Sequence, residues 1–251
     1  MRKITLSEAT ASCKKLAHKR MTAVSALVSF LLPIAFARSA GGYTLEPVPP
    51  VSFGALDASC PNVLVAYYSA SSAQWTAKLA NAVAAGAAGA GANVRLLRTN
   101  ETACDDLLWA DGIALGSPVY WATVSSQAKL FLEQLQTDCF GWPVTKLRNK
   151  VGAAFATGGH PDSGKDATMA AIQTAWRAMR MVTVGCDCDG DGVVGGTTCS
   201  CNPWGAAATN PDGANQTALV PSEALGGKTL GERIVEVAAI MANKRGCGAP
   251  E

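Results

Sequence analysis

What most constrains this chain is a repeated alternation. Five short apolar runs, at residues 63–68, 94–97, 111–115, 151–156 and 181–184, are separated by stretches with helical spacing. Runs of this length, without polar alternation, read as strands buried on both faces. Residues 75–88 are dominated by Ala and stop at Gly89 and Gly91, and residues 127–136 carry Leu130, Phe131 and Leu135 at helical spacing. Both read as helices, and further ones are expected over 167–179 and 230–243. The alternation predicts an α/β fold, a three-layer sandwich in which helices cover both faces of a five-stranded parallel sheet. In such open sheets ligands sit outside the carboxyl ends of the strands, where the strand order reverses. Chemistry is therefore expected in the loops after the first, third and fourth runs.

Loop one holds Ser69, Ala70, Ser71, Ser72, Ala73 and Gln74, followed by Trp75 and Thr76. Free amides and the helix dipole favour an anion at a helix start, and the hydroxyls of Ser69, Ser71, Ser72 and Thr76 add donors without charge. This composition suits a phosphate in a neutral cradle; it also suits a helix capped by Ser71 or Ser72 with no ligand. Loop three runs from Gly116 through Ser117, Pro118, Val119, Tyr120 and Trp121 to Thr123. Its adjacent aromatics either cover a flat ligand or plug the edge of the core. In loop four, Thr157, Gly158 and Gly159 precede His160, Pro161, Asp162 and Ser163, and the glycines let backbone approach a planar ligand closely.

The rest of the chain reads as flanks and an insert. Apolar residues make up 49% and charged residues 16%, which supports a well-buried domain and excludes a largely disordered protein. The formal charge is +2, with much of the basic excess ahead of residue 21, so no basic face remains for a nucleic acid. Lys14, Lys15, Lys19 and Arg20 precede an apolar run over 23–37, at about 15 residues shorter than the roughly 20 of a membrane-spanning helix. Residues 1–37 are expected to be a targeting segment, with Ala35 and Ala37 offering a cleavage site and Met1 or Met21 as the start. The destination is the secretory pathway or, given the scarcity of acidic residues, an organelle reached by a transit peptide; no stable membrane span is expected after cleavage. Gly41, Gly42, Pro47, Pro49 and Pro50 mark residues 38–61 as a linker, leaving 62–246 as the domain.

Besides Cys13, the chain has Cys60, Cys104, Cys139, Cys186, Cys188, Cys199, Cys201 and Cys247. An even number in an exported chain suggests disulfides, and the glycosylation acceptors Asn100-Glu-Thr102 and Asn215-Gln-Thr217 fit the same compartment. Four of these cysteines lie in an insert, residues 185–202, expected after the fifth strand. Three readings compete there. Asp187, Asp189, Asp191 and Gly192 imitate a calcium-binding loop, but Thr198 stands where its last carboxylate belongs. Four thiolates suggest zinc, yet structural zinc prefers wider spacing within each cysteine pair. Pairing of Cys186 and Cys188 across to Cys199 and Cys201 would simply staple the loop, and is the reading taken, with no metal expected.

Tyr-Tyr-Ser69, Gly116-Ser-Pro118, Gln127-x-x-x-Phe131-Leu-Glu133 and Thr157-Gly-Gly159 fall in the order and spacing of one flavodoxin-like family. The chain resembles the tryptophan-repressor-binding-protein type of NAD(P)H:quinone oxidoreductase from about residue 63 to residue 244. Asn202-Pro-Trp-Gly-Ala206 resembles that family's Thr-Pro-Tyr-Gly-Ala segment, and Gly231-Glu232 matches its last helix. The resemblance implies a strand order of 2-1-3-4-5, FMN as cofactor, NAD(P)H as co-substrate and a quinone-like small molecule as acceptor. It also implies a homo-tetramer or homodimer. Carried over by position, Ser69, Ala70, Ser71, Ser72, Ala73 and Gln74 would hold the phosphate and ribityl chain. Val119, Tyr120 and Trp121 would flank the flavin, and Thr157, Gly158, Gly159, His160, Pro161 and Asp162 would line its polar edge. Trp142 and His160 are the catalytic candidates near the flavin, with a core or interface Trp and a surface His as the plainer alternatives.

The chain also departs from the family. Ser72 replaces a glycine, Ser71 an aromatic, and Gln74 and Trp75 the isoleucine and glutamate that open the first helix. Ala178-Met-Arg180 replaces His-His-Gly, so Met179 stands where the family has a histidine approaching the flavin. Two functions follow: an FMN-dependent oxidoreductase reducing quinones from NAD(P)H, or a catalytically inactive exported module with a binding or structural role.

Overall fold

The computed structural model describes residues 58–186, 193–194, 197–198, 200–209 and 217–244. The first apolar run forms β1 (Asn62–Tyr67), buried after its first residue. Its side chains alternate between two apolar layers: Val63, Val65 and Tyr67 enter one, Leu64 and Ala66 the other. A strand buried on both sides requires cover on both, and the following segments supply it. These are α1 (Trp75–Gly89), β2 (Asn93–Arg98), α2 (Cys104–Trp109), β3 (Gly112–Tyr120), β4 (Thr123–Val124), α3 (Ser126–Gln134), β5 (Val151–Gly158) and α4 (Lys165–Ala178). Then come β6 (Val182–Thr183), β7 (Val193–Val194), β8 (Thr197–Thr198), β9 (Cys201–Asn202), β10 (Gly205–Thr209) and α5 (Pro221–Met241).

Helices α1 and α5 cover one face through Leu79, Val83, Leu230 and Ile234. Helices α2, α3 and α4 cover the other through Leu107, Phe131, Met169, Ile172 and Trp176. The long strands run β2-β1-β3-β5-β10, every neighbouring pair parallel. This is the expected order 2-1-3-4-5.

The fifth strand differs from its expected position. Of residues 181–184 only Val182 and Thr183 pair, with Val151 and Gly152 at the start of β5. Farther along β5, Phe155, Ala156, Thr157 and Gly158 pair with Ala206, Ala207, Ala208 and Thr209 of β10. Because β3 occupies the other edge of β5, the two segments are halves of one split strand. The cysteine-rich insert therefore interrupts the fifth strand instead of following it. Within it β7 and β8 form an antiparallel pair, and β9 turns back antiparallel onto β10. A disulfide between Cys186 and Cys201 closes the base of the insert, one of the crosswise pairings expected. Cys188, Cys199, Asp187, Asp189, Asp191 and Gly192 lie outside the described residues.

Other boundaries also shift. Strand β3 continues beyond residue 115 through the stretch expected to be a loop, then turns back through a hairpin, pairing Val119 with Val124 and Tyr120 with Thr123. Helix α3 starts at a cap in which Ser125 Oγ accepts from Ala128 N (3.3 Å), and a wider π-type segment continues it over Leu135–Phe140. Helix α2 was not foreseen; six residues are too few to show helical periodicity. Helix α5 starts nine residues earlier than residue 230, at Pro221, where the missing N–H costs nothing. Among the described residues no helix is long and apolar enough to cross a membrane.

Candidate functional site

Three of the segments singled out in the sequence meet at the carboxyl ends of β1, β3 and β5. Ser69, Ala70, Ser71, Trp75 and Thr76 from the first loop, Pro118, Val119 and Tyr120 from the end of β3, and Thr157, Gly158 and Gly159 from the end of β5 enclose a cavity of about 100 Å³. Parallel topology explains the meeting: neighbouring strands point the same way, so their carboxyl ends converge on one edge.

The walls of this cavity carry unused polar capacity. Ser69 is 3% exposed and its Oγ is buried without a hydrogen-bond partner. Helix α1 begins beside it with no side-chain cap and no acidic residue in its first turn. The first intrahelical bond is donated by Lys78 N to Gln74 O (3.0 Å), which leaves the preceding amides without partners inside the helix. An uncapped helix start and an orphaned hydroxyl together form a place for an anion. The opposite wall is fixed by a buried 2.7 Å bond between Thr76 Oγ1 and Thr157 Oγ1, which ties the first turn of α1 to the end of β5. Gly158 packs against the fourth loop, where a Cβ would lie 1.9 Å from Ser163 Oγ and the serine hydroxyl would have to turn aside.

These features fit the phosphate of FMN. The cavity has the size of a phosphate group rather than of a whole flavin, so the ribityl chain and ring would extend out of it, and Tyr120 at its edge is 43% exposed. Burial raises the Tyr120 pKa, and nearby Tyr68 adds to the effect, keeping its phenol a neutral hydrogen-bonding group.

Other sequence candidates lie elsewhere. Ser72, Ala73 and Gln74 are not among the lining residues; Ser72 is exposed, and Gln74 sits in the left-handed region (φ 52°, ψ 41°) as the residue before α1. Trp121 does not flank the cavity but is 100% exposed at the tip of the β3–β4 hairpin. It and Ala122 have φ of 52° and 61°, the two left-handed positions of a tight hairpin turn that usually takes Asn-Gly. His160, Pro161 and Asp162 form an exposed turn beyond Gly159, in which Asp162 N donates to His160 Nδ1 (3.4 Å) and Ser163 N donates to His160 O (3.2 Å).

Trp142 and Met179 line a separate cavity of about 360 Å³ with Leu132, Val144 and Ala175. Helices α3 and α4 run back against the strand direction, which carries the residues after them toward the opposite edge of the sheet. Met179 therefore faces Trp142 across this second cavity instead of the phosphate cradle. Trp142 is 73% exposed.

Two residues bordering the cradle were not singled out from the sequence. Arg98, the last residue of β2, donates from Nη1 to Ser69 O (3.1 Å) and from Nη2 to Gln74 Oε1 (2.9 Å). Lys165, buried behind the fourth loop, donates to Thr209 Oγ1 (2.7 Å) and His160 O (3.3 Å). Desolvation lowers the pKa of Lys165, opposed by the charges of Glu223, Asp166 and Asp162. Glu223 in turn accepts from the backbone N–H groups of Thr209 (2.6 Å) and Val220 (3.2 Å). A lone cation at a strand end or a helix start carries no motif, so the sequence offered no signal for either. Ser69 also lines a larger neighbouring cavity of about 510 Å³, together with Tyr68, Arg98, Gln127 and Phe131. Among the described residues no cluster of His, Cys, Asp and Glu could hold a metal ion.

Residues 101–188 match the NADPH-dependent FMN reductase family. The chain is 33% identical over 132 residues to an iron–sulfur flavoprotein of Methanocaldococcus jannaschii, a match spanning 53% of this chain and 61% of that protein. It is 31% identical over 204 residues to the NAD(P)H dehydrogenase (quinone) of Paraburkholderia phymatum, spanning 70% of this chain and 96% of the relative. In three dimensions it resembles the flavodoxin, WrbA-like protein of Agrobacterium tumefaciens, with a TM-score of 0.53, 19% identity, and 74% of this chain and 99% of that one covered. That structural likeness establishes the flavodoxin-like fold. The match along nearly the whole length of the Paraburkholderia protein establishes the family, and the chain belongs to the NAD(P)H dehydrogenase (quinone) family.

Proposed function

We propose that this protein is an FMN-dependent oxidoreductase that reduces quinone-like acceptors by two electrons from NAD(P)H. The observation that carries the reading is the buried, unpartnered Ser69 hydroxyl beside an uncapped helix start, inside a cavity of phosphate size. Relatives named NAD(P)H dehydrogenase (quinone) support the reaction class. The net reaction balances as NAD(P)H, one proton and a quinone giving NAD(P)⁺ and a hydroquinone. FMN, when bound, supplies the hydride chemistry, and the protein supplies position and electrostatics. Ser69 and the first turn of α1 would hold the phosphate, and the Thr76–Thr157 bond keeps the two cradle walls in register. Gly158 and Gly159 bring backbone to the cavity wall, while the neutral Tyr120 phenol offers a hydrogen bond at the rim.

Purification tests the reading. Protein carrying or taking up FMN should absorb near 450 nm, as bound oxidised flavin does (about that wavelength), and should reduce benzoquinone at the expense of NADH or NADPH. Colourless protein that also fails to bind added FMN would sink the enzyme and leave the inactive module. We infer further that the chain is exported, or reaches an organelle, after loss of its leader. The disulfides Cys104–Cys139 and Cys186–Cys201 and the disulfide-bonded Cys60 support an oxidising compartment. Amino-terminal sequencing of the native protein should find it starting after residue 37; an intact Met1 end would overturn this. Assembly as a homo-tetramer or homodimer is supported by exposed apolar side chains such as Trp142 and Leu130, and a monomeric mass in light scattering would refute it.

A further inference from the structure

We infer that Arg98 is the positioning residue of the phosphate cradle, setting FMN affinity through the loop it spans instead of through contact with the flavin. The inference rests on the FMN reading above. Residues 69–74 leave β1 and enter α1 with little to hold them: Ala70, Ser71 and Ser72 are exposed. Gln74 must also adopt a left-handed backbone, which costs a non-glycine residue of order 1 kcal/mol and persists only where neighbours over-determine it.

Three bonds do so. Gln74 N and Gln74 Nε2 both donate to Ser71 O, at 3.0 Å and 2.7 Å. Gln74 Oε1 accepts from Arg98 Nη2 at 2.9 Å, while the other terminal nitrogen of the guanidinium donates to Ser69 O at 3.1 Å. One planar fork thus joins the first and last residues of the loop, the residue with the orphaned hydroxyl and the residue preceding the open helix start. Arg98 is itself fixed. Its backbone N–H donates to Glu101 Oε2 (3.2 Å), its carbonyl accepts from Thr102 Oγ1 (2.9 Å), and its guanidinium lies over the Tyr67 ring, 5.6 Å from the centroid. The same guanidinium places a permanent positive charge directly behind Ser69, in a cradle whose lining residues carry none. Lysine cannot reproduce this, because a single ammonium lacks the fork that reaches two acceptors in one plane.

The test measures the affinity of the full-length protein for FMN and for riboflavin, which lacks the phosphate. Arg98→Gln should weaken FMN by about ten- to a hundredfold, the scale of lost hydrogen bonds to a charged group, and leave riboflavin unchanged. Arg98→Lys should recover only part of the loss. Combining Arg98→Gln with Gln74→Ala should weaken FMN by clearly less than the product of the two single losses, because both cut the Arg98–Gln74 link. FMN affinity within twofold of the parent, equal losses for FMN and riboflavin, or fully additive losses would each overturn the inference. A parent protein that binds no FMN would refute the functional reading itself, a result distinct from any of these.

Discussion

At the scale of single residues, the cradle is defined by what its side chains leave undone. A buried hydroxyl without a partner costs about 1–3 kcal/mol of lost hydration, and Ser69 carries that cost in the unliganded fold. Ser69→Ala should therefore leave the stability of the flavin-free protein unchanged or raise it by up to about 1 kcal/mol, while weakening FMN about tenfold. Urea unfolding and flavin titration read the two effects separately. A clear loss of flavin-free stability would show that the hydroxyl already has a partner. Ser117 shows the opposite design. Its Oγ donates to Ser125 Oγ (3.1 Å) and accepts from Ser125 N (3.0 Å), pinning the base of the β3–β4 hairpin to the start of α3. Two serines near the carboxyl ends of neighbouring strands thus have opposite roles, and only their partners tell them apart.

At the scale of elements, a tight constraint is the packing of α1 on α5. A Cβ on Gly86 would lie 2.0 Å from Lys228 O, and one on Gly231 would lie 2.1 Å from Val83 O. The backbones of the two helices touch where the sequence places glycine, and the Ala-rich face of α1 exists to allow it. Gly89, at the end of the same helix, would meet nothing within 4 Å. The two glycines should respond oppositely to alanine. Gly89→Ala should stabilise by up to about 1 kcal/mol through helix propensity alone. Gly86→Ala should destabilise by about 1–3 kcal/mol despite the same gain, because backbone cannot move aside as a side-chain end can. Thermal and urea unfolding of the pair would settle it; stabilisation by both changes would mean that the helices do not approach so closely.

At the scale of the whole molecule, the described fold is cross-linked at its flanks. Cys104–Cys139 joins the start of α2 to the π-type segment that continues α3, and Cys186–Cys201 closes the insert that splits the fifth strand. Their sequence separations of 35 and 15 residues correspond to about 4 and about 3 kcal/mol in the chain-entropy account. Replacing Cys104 and Cys139 together by serine should lower unfolding stability by roughly the first amount, and replacing Cys186 and Cys201 by roughly the second. Losses well under about 1 kcal/mol would mean that the reduced chain is already held by its packing. The two edges of the sheet are also built differently. At the amino end Lys244 pairs with Asp111 (2.6 Å) and Lys150 donates to Leu108 O and Ala110 O, with the Lys150 pKa lowered by burial. At the carboxyl end, by contrast, the buried Ser69 Oγ is left without a partner.

Much of this was written in the sequence itself. Short apolar runs alternating with helical spacing determined a parallel sheet with two covered faces, because backbone pairing and two-sided burial leave few other solutions. They also determined the edge at which the site lies, and the serine-rich loop after the first run. Tertiary structure alone decided the rest. The fifth strand could not be read as a split one, because Gly205-Ala-Ala-Ala-Thr209 has little strand propensity of its own and pairs only since β5 offers an edge. Trp121 could not be placed, because β3 runs on into a hairpin that carries it to an exposed tip. Trp142 and Met179 could not be placed either, because a helix that returns against its strand carries its trailing residues to the far side of the sheet. Nor could Arg98 be found, since a hydrogen bond across 24 or 29 residues of sequence leaves no periodicity or motif behind. Local spacing determines which elements form; only their packing determines which side chains meet.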